Sequence, residues 1–154
     1  KFVSYKKFFS GKHKHIKKFV GFNSNSPIHC TLSSILENIK NDNIFLKIDV
    51  EGSEYRFLDE IILNQHRITG LVIELHDCDI HLQKIETFIR EFNLNLIHIH
   101  ANNNSPVKLD DGLPLVMELT FSKYSVLSDS TYLPHKLDMP CNSKEKEINL
   151  MIMS

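Results

Sequence analysis

Acidic and imidazole side chains stand at the ends of the chain's most apolar runs. Ile44-Phe45-Leu46-Lys47-Ile48-Asp49-Val50-Glu51-Gly52 carries Asp49 and Glu51 at its far end. Glu74-Leu75-His76-Asp77 closes a second run, and His98-Ile99-His100 closes a third, followed by Asn103. Carboxylates and histidines so placed suit proton transfer, because an imidazole that titrates near neutrality can act as a general base. His98 and His100 alternate with Ile97 and Ile99, which puts both imidazoles on one face of a strand. The stretch His76-Asp77-Cys78-Asp79-Ile80-His81, together with His98-x-His100, is also dense in metal-ligand types. It meets no zinc spacing, so no metal ligand is assigned. The plainer reading is a solvated Asp49, a helix-capping Glu51, and histidines bonded to carboxylates such as Glu118 inside a sheet.

Positioning these groups calls for strands. The run 44–50 is short, β-branched and followed by Gly52, as expected of a strand buried on both faces of a parallel sheet. Ile68–Leu75 and Leu94–His100 read the same way, and Leu115–Phe121 is a fourth strand. Helical periodicity fills the intervals: a helix opened by Thr31 with Leu32, Ile35, Leu36 and Ile39 on one face, one over Ser53–Gln65 with Phe57, Leu58, Ile61 and Ile62, and one over His81–Phe92 with Leu82, Ile85, Phe88, Ile89 and Phe92. The loop Ser105–Pro114 is too short for a crossover helix, so the last two strands should be antiparallel. At the start, Phe2, Tyr5, Phe8 and Phe9 suggest a short amphipathic helix, and Ile16–Phe22 a short strand. Residues 122–154 read as an irregular C-terminal extension with a last short strand in Ile148–Met153. The expected class is therefore α/β, a mostly parallel sheet with one antiparallel strand and helices on both faces, in a single domain over 1–154.

Composition narrows the options. With 18 Lys and Arg against 19 Asp and Glu, the net charge is -1 and offers no global attraction to nucleic acid or anionic membrane. No apolar run reaches the roughly 20 residues of a membrane span. Cys30, Cys78 and Cys141 are odd in number and far apart, as in reduced thiols of a cytoplasmic protein. The chain begins at Lys1 rather than Met, which suggests a fragment.

Several blocks resemble a known family. Leu46-Lys47-Ile48-Asp49-Val50-Glu51-Gly52-Ser53-Glu54 is similar to the K-I-D-x-E-G-x-E signature of the FkbM family of S-adenosylmethionine (SAM) dependent methyltransferases, and Val72-Ile73-Glu74-Leu75-His76 resembles its next strand. His98–Asn103, Pro114–Phe121 and Leu137–Asn142 look like later blocks of one branch of it. The resemblance implies a partial Rossmann-like class I methyltransferase sheet of strand order 3-2-1-4-5-7-6 with strand 7 antiparallel. Asp49 then ends strand 4, His76 strand 5 and His100 strand 6. It further implies His100 or His76 as base with Asp49 beside it, Asp49, Glu51 and Phe22 toward SAM, and Glu74 and Asn103 toward a small-molecule acceptor such as a sugar hydroxyl. Departures accompany the likeness. The five glycines include no G-x-G-x-x-G, and Ser33 stands where the family often has Asp. On the family's layout, strands 1 and 2 are missing. Strand 44–50 would then expose an apolar edge open to self-association, unless Ile16–Phe22 pairs with it. Two other functions compete: a non-catalytic remnant or interaction module that keeps the sheet, and a metal-dependent hydrolase built on the histidines.

Overall fold

The computed structural model describes residues 7, 9, 13–23, 25–124 and 132–151. The expected N-terminal helix falls almost wholly outside them. In chain order the elements are β1 (Phe19–Val20), β2 (His29–Cys30), α1 (Leu32–Leu36), β3 (Ile44–Ile48), α2 (Leu58–Leu63), β4 (Ile68–Leu75), α3 (Cys78–Glu91), β5 (Asn95–Ala101), β6 (Met117–Ser122), β7 (Tyr132–Leu133) and β8 (Leu150–Met151).

The central sheet runs β3-β4-β6-β5, with β3 parallel to β4 and β6 antiparallel to both its neighbours. Strands β3, β4 and β5 thus point the same way, and inserted β6 opposes them. This is the 4-5-7-6 part of the order the resemblance implied, and the short 105–114 loop does join an antiparallel pair. Only one pairing in the sheet is parallel, however, because β6 separates β4 from β5.

Side-chain parity sorts the sheet into two unlike faces. Ile44, Ile48, Leu71, Ile73, Leu75, Leu119 and Phe121 are buried on one side with Leu36, Phe57, Leu58, Ile61, Ile85 and Phe88 from the helical segments. Phe121 meets Phe88 and Phe92 edge-on, which fixes α3 over this face. The other face carries Lys47, Val72, Glu74, Glu118, Thr120, His98 and His100. Among the described residues no helix covers it, a correction to the expected helices on both faces. A bulge at Ile97 leaves Leu96 and Ile99 toward the core while keeping His98 and His100 on the polar face.

β3 departs most from expectation. It ends at Ile48, is a sheet edge, and alternates buried and exposed residues instead of burying both faces. Phe45 is 65% exposed and lies over Gly70 of β4, where any Cβ would strike its ring. β1 does not pair with β3; it forms a separate two-stranded parallel sheet with β2.

The helices are shorter or displaced for local reasons. Thr31 caps α1 by accepting from Ser34 N at 3.1 Å, and Glu60 of α2 accepts from Ser33 N at 2.7 Å. The Arg67 guanidinium donates to the carbonyls of Leu36, Ile39 and Asn41 and to Asp42, tying down the exit of α1. The segment 53–65 is not one helix: Glu54–Arg56 is a 3-10 turn, Phe57 leaves helical geometry, and only Leu58–Leu63 is α. α3 starts three residues before His81, and Leu82 is 38% exposed rather than inward.

Candidate functional site at the carboxyl ends of β3 and β4

Two turns at the carboxyl ends of the parallel pair carry the site. After Ile48 the chain passes Asp49 and turns sharply, with Ser53 N donating to Val50 O. Glu51 (φ 53) and Gly52 (φ 95) are both left-handed, the pattern of a type I′ turn. Glycine adopts that conformation freely, whereas Glu51 does so at about 1–2 kcal/mol. Beyond β4, Asp77 is also left-handed (φ 50). Strain therefore sits beside both groups of acidic side chains, as is common where a fold holds residues for a task.

Glu54 organises the cluster. It is wholly buried, and its Oε1 accepts from Val50 N at 3.3 Å and Gly52 N at 3.1 Å and meets His76 Nδ1 at 3.0 Å. An ionised carboxylate only accepts, so His76 Nδ1 must be the protonated nitrogen. Tyr55 holds the same residue from the other side, its hydroxyl donating to His76 O at 2.6 Å. Burial pushes the Tyr55 phenol far above its ordinary range, which keeps that donor protonated. His76 Nε2 is left facing the rim, 3.5 Å from exposed Glu51 Oε2.

Asp49, Glu74 and His76 converge there, one ligand-type atom of each lying within 4.8 Å of the others. Glu74 is steadied by Asn102, whose amide donates to its Oε1 at 2.7 Å. The fold thus brings together Asp49, Glu51, Glu74 and His76 of the expected residues.

The remaining three expected residues lie elsewhere. His100 Nε2 sits 3.5 Å from Glu147 Oε2, and its neighbour His98 pairs with Asp138 at 2.8 Å; both carboxylates belong to the C-terminal segment, not to Glu118. Glu118 pairs with Lys47 instead. Asn103, 7% exposed, donates to Asn142 O and Glu145 O and accepts from Asn142 N, so its amide is committed to holding that segment. Phe22 stacks on His29 and lies 4.5 Å under the Arg56 guanidinium, beside the turn that follows Glu54.

Sequence reasoning missed Glu54, Tyr55 and Asn102. Glu54 closes the quoted signature block and was visible, but a buried carboxylate looks like any other helix-start acid. Nothing in the spacing linked Asn102 to Glu74. Cys78, just beyond, is buried with its thiol pushed up to about 11, chiefly by desolvation, which makes it an inert core residue. Described Cys30, Cys78 and Cys141 are all free thiols. Among the described residues no helix is long and apolar enough to cross a membrane.

No curated protein and no solved structure matches the chain. A family model described as the methyltransferase FkbM domain matches residues 8–102, which takes in both turns of the site and ends at Asn102; the blocks 114–121 and 137–142 lie outside it. With more than half of its 154 residues matched, the chain belongs to the FkbM methyltransferase family.

Proposed function

We propose that the chain is the catalytic-rim part of a SAM-dependent O-methyltransferase acting on a hydroxyl of a sugar or other small metabolite in the cytoplasm, on a class I, Rossmann-like sheet. One observation carries this reading: in an FkbM-family chain, Asp49, Glu74 and His76 converge at the carboxyl ends of adjacent parallel strands, where open α/β sheets bind ligands. The 4-5-7-6 strand arrangement supports the class I assignment.

SAM, when bound, supplies a methyl group on a positively charged sulfur. The residues present fit part of it. Asp49 and Glu51 are exposed acceptors suited to its amino and ribose hydroxyl groups, whereas the Phe22 ring is already packed against His29 and Arg56. No glycine-rich run of backbone donors stands among the described residues. Glu74, held by Asn102, accepts a hydrogen bond from the acceptor hydroxyl in this reading. His76 takes that hydroxyl's proton on Nε2, because Nδ1 already carries one and is fixed by Glu54. This favours His76, which shares the rim with Asp49 and Glu74, over His100, whose Nε2 is buried beside Glu147.

Calorimetric titration with SAM tests the proposal. Binding that weakens at least tenfold in Asp49→Asn supports it. No binding by a folded chain supports the interaction-module reading, which the bare β3 edge with Phe45 would serve.

A further inference from the structure

We propose that Asp49, Glu74 and His76 form a binding site for a divalent cation, with Mn2+ the best match. Their ligand atoms, two carboxylate oxygens and one imidazole nitrogen, lie within 4.8 Å of one another. Ligands at about 2.1 Å from one ion stand no more than about 4.2 Å apart, so the three side chains must draw together to close on it. An oxygen-rich set with a single imidazole suits Mn2+ better than the nitrogen- and sulfur-rich sets that select zinc or copper.

The outer contacts have the form that metal ligands show. Glu54 holds Nδ1–H of His76, leaving the Nε2 lone pair toward the acids, and Asn102 holds Glu74 through one oxygen, leaving the other free. A separate observation points the same way. Glu54 is fully buried, and its Oε2 has no hydrogen-bonding partner among the described residues. Four carboxylates (Asp49, Glu51, Glu54 and Glu74) surround one imidazole, and among the described residues none of them has a lysine or arginine ion-pair partner. A buried carboxylate needs compensating positive charge. A cation on Nε2 supplies it through the ring. Cation binding and proton acceptance at Nε2 exclude each other, so the proton-acceptor role belongs to the metal-free chain, and in the metal-bound chain the open coordination positions face the rim. That last consequence for the acceptor hydroxyl rests on the methyl-transfer reading; the site itself does not.

Mn2+ titrated into the purified chain and followed by electron paramagnetic resonance decides the matter. One equivalent should lose its free six-line signal. Glu74→Gln and His76→Asn should each weaken binding at least tenfold, and Asn102→Ala, which alters only the outer contact, by roughly tenfold. Glu86→Gln, on the exposed side of α3 and outside the set, should bind as the parent does. A full free signal up to millimolar Mn2+ overturns the site. So does parent-like affinity in Glu74→Gln and His76→Asn with unchanged far-ultraviolet circular dichroism. Mn2+ bound with no SAM binding by calorimetry leaves the site standing and removes the methyl-transfer reading instead.

Discussion

His76 and the pair His98–His100 lie on neighbouring parts of one sheet, yet their surroundings differ in kind. His76 is gripped from behind, through Nδ1 by Glu54 and through its carbonyl by Tyr55, and Nε2 is turned to the rim. His98 hydrogen-bonds Asp138 of the C-terminal segment through Nε2 at 2.8 Å, the nitrogen that would otherwise reach a ligand, whereas buried His100 Nε2 lies 3.5 Å from Glu147 Oε2 with no hydrogen bond among the described residues. His76, held at its back, keeps its front nitrogen toward the rim; His98, hydrogen-bonded at its front, acts as a fastener. The histidine-carboxylate pairs thus have opposite meanings, and the atom used tells them apart.

The strongest way to break that contrast is Glu54→Ala. It strips the acceptor from Val50 N, Gly52 N and His76 at once in a fully buried place. The expected loss is about 3 kcal/mol by urea unfolding, together with at least tenfold weaker ligand binding at the rim. A loss under about 1 kcal/mol would mean that Glu54 does not organise the turn. Asn103→Ala comes next on the fastener side. Three hydrogen bonds to Asn142 and Glu145 go with it, at about 2 kcal/mol. Limited proteolysis should then cut within residues 132–151 while binding at Asp49 and His76 persists. If rim binding fell equally, the segment would be part of the site and the contrast would dissolve.

How much of this could be read beforehand depends on the range of the interaction. Strand β4 is delimited correctly as Ile68–Leu75, because six of its eight residues are apolar or β-branched and only Gly70 and Glu74 interrupt them. The antiparallel β5–β6 pair followed from loop length alone. Burial went wrong at β3, since a run such as Ile-Phe-Leu-Lys-Ile looks central whether or not neighbours flank both sides. The start of α3 escaped because Asp77 makes no side-chain cap; the Cys78 amide is met instead by Leu115 O, 37 positions away in sequence (115 − 78). Asp49, Glu74 and His76 were legible one at a time as strand-end polar residues. Their convergence, and Glu54 behind them, depend on the β3–β4 register and on a 3-10 turn where a helix was expected.

A smaller, pH-dependent effect sharpens the view of the rim's underside. Burial raises the Cys78 thiol from 9.0 to about 11, and Tyr55 beside it shifts in the same direction. Both neutral forms are favoured by folding. Their contribution is therefore complete below pH 9 and declines as pH rises through about 11. Thermal midpoints should be level from pH 7 to 9 and fall above that, and Cys78→Ala should lessen the fall. A midpoint that rises between pH 9 and 11 would contradict the burial of this layer.

The smallest expected effect bears most directly on whether the two histidine groups are independent. Glu74, Glu118 and His100 stand side by side across β4, β6 and β5, so Glu118 lies between the rim and the fasteners. Glu74 and Glu118 are directly opposed like charges, an arrangement that destabilises a sheet. Lys47 of β3 reaches across and pairs with Glu118, and both partners are part-exposed. A pair of that kind contributes little by itself, so Lys47→Ala should change stability by under about 1 kcal/mol. Its larger consequence is coupling. With Lys47 present, the effects of His76→Ala and His100→Ala on unfolding free energy should add to within about 0.5 kcal/mol. In the Lys47→Ala background the unneutralised Glu118 links the two sites, and the sum should miss by more than that. Additivity in both backgrounds would show that distance, not Lys47, keeps the rim histidine independent of the pair on β5.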